Sequence, residues 1–122
     1  MKKRVLIIED DSFLASLLTS ALKRADFETS LAIDGEEGLK KLETEIPDII
    51  LLDLILPGIG GFEILEKIKK EDKTKKIPVI IISNLGSQEE IQKGLKSGAN
   101  AYLVKASILP DDVIKKIKEI LQ

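Results

Sequence analysis

Neither cysteine nor histidine occurs in this 122-residue chain, and the two absences remove whole classes of chemistry. Without cysteine there are no disulfides, no thiolate nucleophile and no cysteine-based zinc site. Without histidine there is no imidazole base, no Ser-His-Asp triad and no imidazole metal ligand, so any metal is expected to be a hard cation held by oxygen. No run approaches the ~18 apolar residues of a membrane span. The basic start, Met1-Lys2-Lys3-Arg4, leads into only four apolar residues before Glu9, too few for a signal peptide. A net charge of −2 gives no electrostatic reason to expect nucleic acid or an anionic membrane as the main partner. By elimination, a cytoplasmic protein is expected.

What is present is a run of apolar segments that end in polar residues. Ile49-Ile50-Leu51-Leu52 has no polar alternation, which suggests a strand buried on both faces, as in a parallel sheet. Asp53 ends the run, and Pro57-Gly58-Ile59-Gly60-Gly61 turns the chain at once, so the carboxylate is expected at the strand's mouth, facing a crevice. Val5-Leu6-Ile7-Ile8 ends likewise in Glu9-Asp10-Asp11, Ile77-Pro78-Val79-Ile80-Ile81-Ile82 in Ser83-Asn84, and Ala101-Tyr102-Leu103-Val104 in Lys105. Phe27 to Ile33 alternates apolar and polar residues and suits a half-exposed strand near a sheet edge.

Helical spacing lies between these runs. Phe13, Leu14, Leu17, Leu18, Ala21 and Leu22 predict a helix capped by Asp11 or Ser12. A weaker stripe covers 36–43, and another joins Phe62, Ile64, Leu65 and Ile68. Ser87-Gln88-Glu89-Glu90 fits a capping box for a helix to about Ser97, and Pro110 fits the first turn of a last helix carrying Val113, Ile114 and Ile117. The lysine-rich stretch 67–76 is interrupted by acids and holds no aromatic residue to stack on bases, so it reads as a solvated helix end and loop. Five βα units make one α/β domain over 1–122.

Right-handed crossovers put all parallel strand ends on one edge of the sheet, so Glu9, Asp10, Asp53, Ser83 and Lys105 are expected to meet. Two carboxylates about 4 Å apart repel by about 4 kcal/mol at an effective dielectric near 20. Either the acids take up protons, or a cation such as Mg²⁺ sits among them.

Taken in order and spacing, Val5-Leu6-Ile7-Ile8-Glu9-Asp10-Asp11, Asp53 through Pro57-Gly58 and Gly61-Phe62-Glu63, Pro78 to Ser83, Gly98-Ala99 and Ala101 to Lys105 resemble the two-component response regulator receiver domain, as in the single-domain chemotaxis regulator. The resemblance covers essentially the whole chain. It implies a three-layer (βα)5 flavodoxin-like sandwich with parallel sheet order 2-1-3-4-5. It also implies that Asp53 is the phosphoacceptor, attacking a phosphohistidine on a sensor histidine kinase or histidine phosphotransfer protein. Glu9, Asp10, Asp53 and the backbone carbonyl of Ile55 would hold Mg²⁺, Ser83 and Lys105 would contact the phosphoryl oxygens, and Ser83 with Tyr102 would form the switch. The output would be a changed face of the fourth helix, last strand and fifth helix for a downstream protein, on a monomer or a phosphorylation-dependent dimer. With Met1 and a complete last helix, the chain reads as a stand-alone module without an output domain.

Some positions depart from the family pattern. Asn84 stands where a small residue is usual, and is expected to narrow access to Asp53. Gly60 replaces a usual Asp. Ala106 replaces the proline after Lys105, so that peptide is either strained or trans, which bears on the aim of Lys105. Ile55 and Leu85, two residues after Asp53 and Ser83, are apolar and cannot orient a water, which predicts a slowly hydrolysing phosphoaspartate. The rival readings are a pseudo-receiver that binds partners without phosphorylation, and an Mg²⁺-dependent aspartyl phosphatase or phosphotransferase of the haloacid-dehalogenase type, or a toprim-like nuclease. The enzymes normally want an acid where Ile55 stands, so the chain is read as a phosphoacceptor and not a dedicated enzyme.

Overall fold

A computed structural model describes residues 2–122. Five strands, β1 (Arg4–Ile8), β2 (Glu28–Ala32), β3 (Ile49–Leu52), β4 (Val79–Ser83) and β5 (Ala101–Val104), alternate with helices α1 (Ser12–Arg24), α2 (Gly35–Thr44), α3 (Gly61–Lys70), α4 (Gln88–Lys96) and α5 (Pro110–Leu121). All neighbouring strands pair in parallel, in the order β2-β1-β3-β4-β5, so the flavodoxin-like expectation holds. No described helix is long and apolar enough to cross a membrane.

The sheet is buried on both faces because its central strands, β1, β3 and β4, are apolar at every position but Arg4 and Ser83 at their ends. The two-residue period of a strand then divides them between two cores. Leu6, Ile8, Ile50, Leu52 and Ile81 pack with Leu42 of α2 and with Ile64, Leu65 and Ile68 of α3. Val5, Ile7, Ile49, Leu51 and Ile80 pack with Leu18 and Leu22 of α1 and with Val113, Ile114 and Ile117 of α5. β2 lies at an edge, as its alternation predicts.

Helix α1 begins where Asp11 accepts hydrogen bonds from the backbone N–H groups of Phe13 and Leu14, at 3.0 and 3.2 Å. Its buried face is narrower than the apolar spacing implies: Ala15, Leu18, Ala21 and Leu22 are covered, whereas Phe13 is 73% exposed. The sheet and its neighbours cover only the centre of the stripe, and residues at its margin stay in solvent.

Helix α4 rests on the sheet through a glycine. Gly94 is its buried residue, and a Cβ there would lie 2.7 Å from Ile81 Cδ1 and 3.0 Å from Tyr102 Cδ2. The predicted capping box is present, with Ser87 Oγ accepting from Glu90 N and Glu90 Oε1 accepting from Ser87 N. After β5 the chain makes one 3₁₀ turn, Lys105–Ser107, before α5. The Lys105–Ala106 peptide is trans, like every other described peptide bond, which resolves the question raised by the missing proline.

Candidate functional site

The strand ends meet as the topology requires. Hydrogen bonding continues one residue past the strands: Glu9 N donates to Ala32 O at 2.9 Å, and Asp53 N donates to Ile8 O at 3.1 Å. The sheet's hydrogen bonding thus fixes the backbone of both acids. Glu9 and Asp53 are both buried, Asp10 is exposed, and one carboxylate oxygen from each lies within 4.8 Å of the others.

Lys105 enters this cluster from the 3₁₀ turn. Its Nζ lies 3.1 Å from Asp53 Oδ2 and 3.0 Å from Glu9 Oε1, so one ammonium bridges two buried carboxylates. The trans peptide at Ala106 does not misdirect it. Glu9 Oε2 also accepts the N–H of Asp11 at 3.0 Å, and Asp53 Oδ1 accepts that of Ile55 at 3.3 Å.

Burial pushes the Glu9 carboxyl up to about 7; the Asp11 N–H and Lys105 oppose this, and the charge of Asp53 adds to it. Burial alone would lower Lys105, but its bonds to Glu9 and Asp53 outweigh that and hold the ammonium above its usual range. The bridge offsets part of the repulsion and leaves Glu9 still reluctant to ionise.

The donor set suits a small hard cation: two buried carboxylates, a third on the open side, and oxygen as the sole ligand element. The place thus combines a carboxyl of raised proton affinity with three carboxylates near enough to share a cation. Ile55 follows Asp53 by two residues, with its side chain 58% exposed at the mouth.

Ser83 is fully buried at the end of β4, and its Oγ accepts the N–H of Leu85 at 3.2 Å. The Tyr102 hydroxyl donates to the carbonyl of Leu85. Burial raises the phenol, the neighbouring Ser83 hydroxyl opposes that, and the charges of Glu90 and Asp53 raise it further. Ser83 and Tyr102 are therefore tied to the same residue of the β4–α4 loop. Asn84 is exposed.

Residues 5–118 match the family described as the response regulator receiver domain. The chain belongs to that family. Over all 122 residues the receiver is 30% identical to the phosphate regulon transcriptional regulatory protein PhoB of Escherichia coli, of which it spans 53%. Over 101 residues, 83% of the chain, it is 39% identical to the transcriptional regulatory protein AfsQ1 of Streptomyces coelicolor, of which it spans 44%. The chain thus spans about half the length of these curated relatives. A crystal structure of a CheY-like receiver domain protein from Methanospirillum hungatei superposes with a TM-score of 0.91 at 34% identity, covering 99% of this chain and 94% of that one.

One residue near this receiver site escaped the sequence reading. Glu36, in the first turn of α2, accepts the backbone N–H of Ile59 at 3.1 Å, reaching into the loop that follows Asp53. An acid in a first helical turn ordinarily serves the helix dipole, so the sequence carries no signal of this contact.

Proposed function

We infer that this receiver is a phosphoacceptor whose Asp53 takes a phosphoryl group, in an Mg²⁺-dependent way, from a phosphohistidine on a sensor histidine kinase or histidine phosphotransfer protein. The observation that carries the reading is the Lys105 ammonium set between Asp53 and Glu9, with Asp10 beside them on the open side. In the transfer, an Asp53 oxygen bonds to phosphorus as the N–P bond of the donor breaks and the imidazole leaves. Mg²⁺ held by Glu9, Asp10, Asp53 and the Ile55 carbonyl would neutralise charge on the phosphoryl oxygens.

The chain's own residues do the rest. Lys105 is already in hydrogen-bond contact with the nucleophile and can follow a new oxygen by rotation of its stem. The Ser83 hydroxyl, whose oxygen accepts the Leu85 N–H, can donate its O–H to a phosphoryl oxygen. Because Tyr102 binds the same Leu85, a shift in that loop is passed to β5 and to the side of α4 that Gly94 rests on the Tyr102 ring. The face of α4, β5 and α5 is the surface a downstream protein would read. In this reading the chain is a phosphoacceptor rather than a dedicated enzyme.

The test is intact mass after incubation with acetyl phosphate and Mg²⁺. One phosphoryl group gained by the wild type, and lost both in Asp53→Ala and without metal, is the expected result. Equal labelling of Asp53→Ala would refute the assignment.

A further inference from the structure

We propose that Glu36 is a positioning residue for the metal-binding loop: from α2 it fixes the segment that carries the Ile55 carbonyl, and so sets how tightly the receiver holds Mg²⁺. The proposal rests on the metal-site reading above and deepens it. It comes from two independent features of the contact between the start of α2 and the loop 54–60.

The first is the hydrogen bond. Glu36 Oε1 accepts from Ile59 N, 23 residues away, and Glu36 is not engaged in capping its own helix. That work falls to Asp34 and Glu37: Asp34 Oδ1 accepts from Glu37 N at 2.8 Å, and Glu37 Oε1 accepts from Ile33 N at 3.1 Å. Among the described residues, the loop's other backbone hydrogen bonds are Gly61 N to Leu54 O, which closes its two ends on each other, and Ile64 N to Gly60 O, which starts α3. Leu56 and Ile59 pack their side chains against the core, and Glu36 supplies the hydrogen bond that holds the loop backbone from elsewhere in the fold.

The second is the space left for it. At Gly58 the backbone has φ +76, and a Cβ would lie 2.7 and 2.8 Å from the two Glu36 carboxylate oxygens. A side chain there would be both strained and in the way of the carboxylate. At Gly35, the residue before Glu36, a Cβ would lie 2.1 Å from Ile64 Cδ1 and 3.1 Å from the Ile59 carbonyl. Two glycines, one on each partner, let helix and loop close on each other, and the carboxylate locks the contact. Ile55 lies between Asp53, to which its N–H is bonded, and the segment Glu36 holds. Its carbonyl therefore has one anchored flank on each side, and removing one lets it leave the geometry a small octahedral ion demands.

The experiment titrates the metal-free protein with Mg²⁺ by calorimetry and follows the Ile59 amide by hydrogen exchange, for wild type, Glu36→Ala and Glu36→Gln. Glu36→Ala is expected to weaken Mg²⁺ binding roughly two- to fivefold, as for loss of one hydrogen bond at an exposed site, and to speed exchange at Ile59. Glu36→Gln keeps an acceptor for Ile59 and is expected to bind within about twofold of wild type. Unchanged Mg²⁺ affinity in Glu36→Ala would overturn the proposal while leaving the metal site standing. Equal weakening in both variants would overturn it too, because the carboxylate would then act by charge and not by position. A wild type that binds no Mg²⁺ would remove the metal-site reading itself.

Discussion

At the scale of single residues, Glu9 is the group whose state the fold perturbs most visibly. Its carboxyl is raised from 4.5 to about 7, so between those values the folded protein binds more protons than the unfolded chain. Stability of the metal-free protein is therefore expected to fall as pH rises through that window and to level off above it. Urea midpoints without divalent ions should show this slope, and Glu9→Gln should flatten it. A second expectation concerns Ile55 and Leu85, which bring no group able to orient water. Combining Ile55→Asn with Leu85→Glu is expected to speed phosphoaspartate hydrolysis by about tenfold, equivalent to about 1.4 kcal/mol in the barrier; an unchanged decay would remove that explanation. The acids, Ser83 and Lys105 were legible in the sequence because each ends an apolar run, where a polar residue has no structural reason to be buried. The Lys105–Glu9 contact was not, since strand-end logic says which residues meet but not which pair.

At the scale of elements, the closeness of contacts sets the tolerance. A Cβ at Gly61 would lie 2.4 Å from the Asp53 carbonyl oxygen and from Leu54 Cα, both backbone atoms that cannot rotate away. Gly61→Ala is thus expected to destabilise by about 3 kcal/mol, at the upper end for overpacking, read from chemical denaturation. Asp26 ends α1 with φ 70, the sole non-glycine residue with positive φ among the described residues. Asp26→Gly should stabilise by about 0.5–1 kcal/mol by relieving that strain; the exposed ion pair it gives up with Lys2 is worth little. Helix α4, seated on Gly94 and joined to α3 by Lys93 lying 4.2 Å from the Phe62 ring centre, should exchange its amides faster than α3. Element identities and most caps followed from periodicity and turn chemistry. The width of the buried stripe on α1 did not, because it depends on how much of the helix its neighbours cover, and Phe13 lies beyond that edge.

At the scale of the whole molecule, the order of strands was legible only through the family resemblance; apolar runs give parallel strands but no order. The crossovers then place every functional side chain at the carboxyl end of the sheet. The turns at 25–27, 45–48, 71–78 and 97–100 form the opposite rim, where buried Thr74 donates to the Ile68 carbonyl at 2.7 Å and Asn100 accepts the Val79 N–H at 3.1 Å. These polar residues hold loops and touch no chemistry. Insertions that spare Thr74 and Asn100 should therefore be absorbed on that rim with Mg²⁺ binding intact. The same separation leaves the far rim free to change in length and composition, or to gain contacts with other molecules, without moving the acids and Lys105 at the carboxyl end of the sheet.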